Sequence, residues 1–198
     1  MPRIECLPIE QWDPELRALV SADDVSPLEQ GPLRIMAHSP VITKPFVAFA
    51  MALATRSVLP RRLLELVRLR VAFHNQCRSC MAIRYRSAVE AGVTENLVCS
   101  LERPADAEDL LPAEKAAISY ADLASTDHMA IGDETFNLLR RYFSEVQIVE
   151  LGMYIAYCIG FGRLAASWKM VDELPEAYRE SGGKAVAPWE LASIVVRG

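Results

Sequence analysis

The run LGMYIAYCIGF, Leu151 to Phe161, does most to limit what this chain can become. Its 11 residues carry no charge but fall short of the ~20 that a bilayer span requires. The run therefore predicts a buried helix that other elements must surround. Ser144 and Gln147 stand at capping-box spacing, so this helix should start there and reach about Trp168. Upstream, Pro60 restarts the chain into RRLLELVRLRVAFHN, where Leu63, Leu66, Val67 and Phe73 recur at helical spacing. Thr43 can cap, and Pro45 can open, a helix through FVAFAMALATRS. Further helices are expected from the cysteines through MAIRYRSAVEAG to a terminating Gly92, over Thr94 to Leu101, after Pro112, and after a capping Asp133. No alternating strand pattern of useful length precedes the tail. The reading is all-α, about seven or eight helices in one domain over 1–198. It comprises an N-terminal arm (1–40, with one short helix near Pro14 to Val20), a helical core (41–171) and a C-terminal tail (172–198).

Charge narrows the function classes. From Arg56 to Arg86 eight arginines face one acid, Glu65, a local balance of +7 on a chain of net −5. A nucleic-acid binder should be basic over a whole face, so neither nucleic acid nor membrane is an expected partner. MPRIECLPIEQWDPELR has prolines and acids where a signal peptide needs an apolar run, which points to the cytoplasm. Five cysteines in a reducing compartment should not build a disulfide framework, so a pair that oxidises should be catalytic or sensing.

Within HNQCRSCMAIR, Cys77 and Cys80 lie three residues apart. If Cys77 starts a helix, both sulfurs face one side, near the unpaired N–H groups and positive end of the helix. Arg78 and Arg84 would favour the thiolate further. The competing readings are two small inert buried residues, or a zinc site using His74, for which no fourth ligand follows at finger spacing. Glu65 is either an ion-pair partner of Arg61, Arg62 or Arg68, or a proton acceptor for a thiol. Cys99 and Cys158 read as core; Tyr154, Tyr157, Phe161 and Trp168 read as packing. His38 and His128 read as structural or surface residues.

LPRRLLELVRLRVAFHNQCRSCMAIRYRSAVEAGV resembles the core of the carboxymuconolactone decarboxylase superfamily, in its alkylhydroperoxidase D-like branch. That branch carries a Glu, then Cys-x-x-Cys twelve residues on, then His four residues after the second Cys; Glu65, Cys77 and Cys80 match in identity and spacing. The resemblance extends over roughly residues 33 to 175. It implies an all-α homo-oligomer, commonly a trimer or hexamer, acting as a thiol peroxidase with no cofactor and no metal. Cys80 would attack a hydroperoxide, Cys77 would resolve the sulfenic acid, Glu65 would serve the proton relay, and an external thiol or dithiol would restore the pair. The dipole argument alone favours Cys77 as attacker. One position departs: the relay His is Arg84, which cannot pass a proton, leaving His74 as a possible substitute. The alternatives are a non-catalytic or redox-sensing member of the scaffold, and a decarboxylase-like enzyme.

Overall fold

The computed structural model describes residues 1–179 and 184–197. In chain order the helices are α1 (Pro14–Leu19), α2 (Pro27–Gln30), α3 (Leu33–Met36), α4 (Pro40–Arg56), α5 (Arg61–His74) and α6 (Arg78–Ala82). Strand β1 (Ile83–Tyr85) is followed by α7 (Arg86–Glu90), α8 (Glu95–Cys99), α9 (Pro112–Thr126), α10 (Asp133–Leu139), α11 (Glu145–Trp168), α12 (Glu176–Arg179) and strand β2 (Ile194–Val196). The architecture is all-α, and the twelve α-helices among the described residues exceed the expected seven or eight because several are single turns.

The centre is a layer of α5, α9 and α11. Leu63, Leu64, Val67 and Val71 of α5 meet Ala117 and Ala121 of α9 and Leu151 and Ile155 of α11. Small alanines on α9 let the helices approach closely, and each buried Leu or Val contributes about 1.5–3 kcal/mol. The Ser144–Gln147 capping box forms as expected, and α11 ends at Trp168 with Lys169 in the left-handed region. By length (24 residues) and mean hydropathy (1.4) α11 could cross a membrane; here it packs against α4, α5, α6 and α9.

The basic segment meets its counter-charges inside the fold. Arg62 pairs with Glu114, Arg70 with Asp122, Arg68 with Glu65 and Arg84 with Glu95. These pairs tie α5 to α9, and β1 to the start of α8.

Several boundaries differ from the sequence reading. The fourth helix starts at Pro40, so Pro45 lies inside it, and Thr43 is buried with its Oγ1 donating to Met36 O at 2.7 Å. Gly132, not Asp133, caps α10. The single helix expected after the cysteines is broken by β1, which pairs in parallel with β2 from Ile83–Ile194 to Tyr85–Val196. Three-residue strands whose partner lies over a hundred residues away leave no periodic signal. The arm is more helical than expected. Its Trp12 and Leu16 pack with Ala37 and Val47, and Arg3 N donates to Trp168 O at 2.9 Å. Cys99 is exposed rather than core, its thiol 3.8 Å from Trp189 O, whereas Cys158 is buried as expected.

Candidate active site

The turn between α5 and α6 is what brings the cysteines together. Gln76 adopts a φ of 49°, a region that residues with a Cβ seldom occupy. This reverses the chain so that Cys77 becomes the N-cap of α6. The turn is fastened on both sides. Gln76 Nε2 donates to Phe73 O (2.7 Å) and Val186 O (3.1 Å), while Val186 N donates to Gln76 Oε1 at 3.0 Å. Asn75 Nδ2 donates to Cys158 O on α11 at 2.9 Å, and Arg163 Nε donates to Asn75 Oδ1 at 3.1 Å.

Held this way, Cys77 and Cys80 form a disulfide with their Cα atoms 5.2 Å apart. The two sulfurs are not equivalent. Cys77 is fully buried, with Ser79 Oγ 3.7 Å from its sulfur, whereas Cys80 is half-buried at the edge of the cluster containing Met81 and Tyr178. Beside Ser79 lies a cavity of about 220 Å³, bounded also by Gln76, Arg78, Ala165 and Met170.

Glu65 is 2 % exposed, and both its oxygens are taken by Arg68, at 2.7 Å each. Arg68 passes the connection on. Its Nη1 donates to Cys80 O at 2.6 Å and its Nη2 to Ile83 O at 2.9 Å, and its guanidinium lies 4.8 Å from the Tyr85 ring centroid. Burial works against the Arg68 charge, but the Glu65 carboxylate outweighs it and holds the guanidinium protonated. Around this pair burial pushes the Tyr85 and Tyr154 phenols up, and pushes the Cys158 thiol to about 12 against the pull of Arg68. These three groups are therefore neutral near pH 7, and the charge of the cluster is the Glu65–Arg68 pair.

The two supporting residues named from sequence point elsewhere. His74 Nε2 lies 2.6 Å from Asp122 Oδ1, the same oxygen that accepts from Arg70 Nε at 2.6 Å. His74 thus stands on the α9 side of α5, in a network with Asp122 and Arg70. Arg84 is 1 % exposed; it donates to Met81 O (2.7 Å), Pro188 O (2.8 Å) and the Glu95 carboxylate. Where the resemblance leads one to look for a titrating imidazole, this chain has a permanent cation that fastens the tail to the segment after Cys80. Sequence reasoning named Arg68 among three candidate ion-pair partners of Glu65 but missed its bonds to the Cys80 and Ile83 carbonyls, and missed the place of Cys158 beside this cluster. The i,i+3 spacing of Arg68 from Glu65 was the available signal for that pairing; Cys158 comes from a distant helix and had none.

Comparison with known proteins fits this geometry. Residues 40–123, which hold Glu65, Cys77 and Cys80, match the Carboxymuconolactone decarboxylase family. Those 84 residues, under half of the chain's 198, are similar to that family. Its fold is similar to that of an uncharacterized peroxidase-related protein from Ralstonia eutropha with an alkylhydroperoxidase AhpD core. The TM-score is 0.69 at 16% identity, over 90% of this chain and 94% of that one. An uncharacterized protein of Mycobacterium tuberculosis is 38% identical over 109 residues, 54% of this chain. The match spans 37% of that relative's length. The uncharacterized protein YdfG of Bacillus subtilis is 25% identical over 111 residues, 56% of this chain and 76% of that protein.

Proposed function

We propose that this chain is a thiol peroxidase that reduces hydroperoxides through Cys77 and Cys80. The observation that carries the reading is the disulfide of unequal exposure: a half-buried Cys80 bonded to a fully buried Cys77, above a buried carboxylate–guanidinium pair. In the reduced protein the more accessible sulfur is the one a peroxide meets first, which favours Cys80 over Cys77 as attacker. The Cys80 thiolate takes the distal oxygen of the hydroperoxide, the O–O bond breaks, and the alcohol leaves with a proton. The Cys77 thiol then condenses with the sulfenic acid, releasing water and forming the disulfide. An external thiol or dithiol restores the pair by exchange.

Glu65 is the carboxylate of the proton relay in this reading. Arg68 orients it and carries a positive charge to the Cys80 carbonyl, where it also favours thiolate over thiol. The relay needs no metal or cofactor.

The working unit is a homo-oligomer in the cytoplasm, a trimer or a hexamer. Val146, Val149, Met153, Ala156 and Gly160 recur at three- and four-residue spacing along α11 and are exposed, the first three at 61, 59 and 49 %. A seam of that spacing suits a second helix of the same kind.

Arg84 favours one second reading. A cation committed to Glu95 and Pro188 at the relay position suits a redox sensor that forms its disulfide without rapid turnover. The test is hydroperoxide consumption in the presence of a dithiol. Catalytic loss of peroxide that is abolished in Cys80→Ser supports the peroxidase. One stoichiometric equivalent and no more supports the sensor, and full activity in both single cysteine variants excludes both.

A further inference from the structure

Arg84 cannot supply the proton that the departing alkoxide needs, so a donor must come from elsewhere in the fold. The C-terminal tail brings a candidate. Tyr178, on α12, is fully buried in one apolar cluster with Ala72, Met81 and Ala82, and Cys80 packs against that cluster. Its phenolic oxygen is the one buried side-chain polar atom without a hydrogen-bond partner among the described residues. Buried hydroxyls are nearly always partnered, so a solitary one in the cluster against which Cys80 packs points to a partner that is present only during reaction.

The tail is fastened so that this hydroxyl stays in place. Arg78, the residue after Cys77, donates through Nη1 to Tyr178 O at 3.1 Å, and Tyr178 N donates to Pro175 O at 2.9 Å. Gln76 grips Val186 and Arg84 grips Pro188, on either side of the cysteine pair in sequence. Tyr178 therefore reaches the cluster through residues that flank both cysteines.

We propose that the Tyr178 hydroxyl is the general acid of the peroxide-cleaving step, taking the place of the imidazole that Arg84 replaces. The inference rests on the peroxidase reading and adds a residue to it. As the Cys80 thiolate bonds to the distal oxygen and the O–O bond breaks, the leaving alkoxide takes the Tyr178 proton. The products are the Cys80 sulfenic acid, the alcohol and a phenolate, and solvent returns the proton. Burial raises this phenol, so it is fully protonated at neutral pH, and Arg84 is the nearby cation that opposes the shift and steadies the transient phenolate.

The test uses the full-length reduced protein and Tyr178→Phe, following disulfide formation in a single turnover with two oxidants. An alkyl hydroperoxide has a poor leaving group that needs a proton; a peracid expels a carboxylate that needs none. Tyr178→Phe should slow the alkyl hydroperoxide reaction by about 100-fold, within the range for general acid catalysis, and leave the peracid reaction near the wild-type rate. Its thermal midpoint should not fall, since the ring stays and only an unpartnered hydroxyl is removed. Equal slowing with both oxidants would mean a structural role and overturn the proposal, as would wild-type rates with both. If the wild-type dithiol reacts with neither oxidant, the peroxidase reading falls with it; if only the variant's selective defect is missing, that reading stands.

Discussion

Asp122 shows how a single residue on the far side of α5 supports the cysteine turn. One of its oxygens accepts from both Arg70 and His74. Burial alone would raise this carboxyl, but hydrogen bonds from His74 and Arg70 outweigh burial and hold it below the usual aspartate range. A folded-state pKa below the unfolded value stabilises the fold above the unfolded pKa of about 3.9, and that contribution is lost as pH falls through the folded pKa. Asp122→Asn should therefore cost about 1–3 kcal/mol at pH 7 and flatten the acid limb of the stability curve. Denaturant titrations of both proteins from neutral pH to below the carboxylate range check this. At this scale the sequence was informative about identity and poor about partners. Glu65, Cys77 and Cys80 could be picked out through the resemblance, whose motif they match in identity and spacing. Arg84 could be seen as a departure, but not as an anchor, because Glu95 and Pro188 meet it only through the folded tail.

Among the elements, the contact of α5 with α11 sets the position of the cysteine turn. Asn75, at the end of α5, donates to Cys158 O across Gly162, and a Cβ at position 162 would collide with the Asn75 amide. Gly162→Ala must push the two helices apart or break that hydrogen bond, and overpacking of this kind typically costs about 1–3 kcal/mol. A drop in denaturation midpoint with an accompanying rise in Cys77 reactivity toward an alkylating reagent, measured on the reduced protein, is the expected result. Long elements were legible because their signals are local: the Ser144–Gln147 box and the apolar period of α5 both formed as read. The β1–β2 pair and the break between α6 and α7 were not legible, because they depend on a tail that returns from the other end of the chain.

At the level of the whole molecule, four of the eight arginines between Arg56 and Arg86 are paired with acids of the same chain, and the exposed apolar line on α11 is a feature that a monomer does not explain. If a second copy covers it, the wild-type protein should sediment as a trimer or larger and Met153→Glu should sediment as a folded monomer. An unchanged mass in Met153→Glu would move the interface elsewhere. Assembly would also bring α4 and the arm of one copy close to its neighbour, since α4 flanks α11 through Phe46 and Tyr157, whose ring centroids lie 5.7 Å apart.

The proposed order has Cys80 attacking and Cys77 resolving. Mass spectrometry of the reduced chain after one equivalent of an organic hydroperoxide tests it most directly, in wild type and in Cys77→Ser. An internal Cys77–Cys80 disulfide is expected in wild type, and a single trapped oxygen on Cys80 in Cys77→Ser. A dithiol left unoxidised, or an oxygen trapped in Cys80→Ser on Cys77 at the wild-type rate, would contradict it.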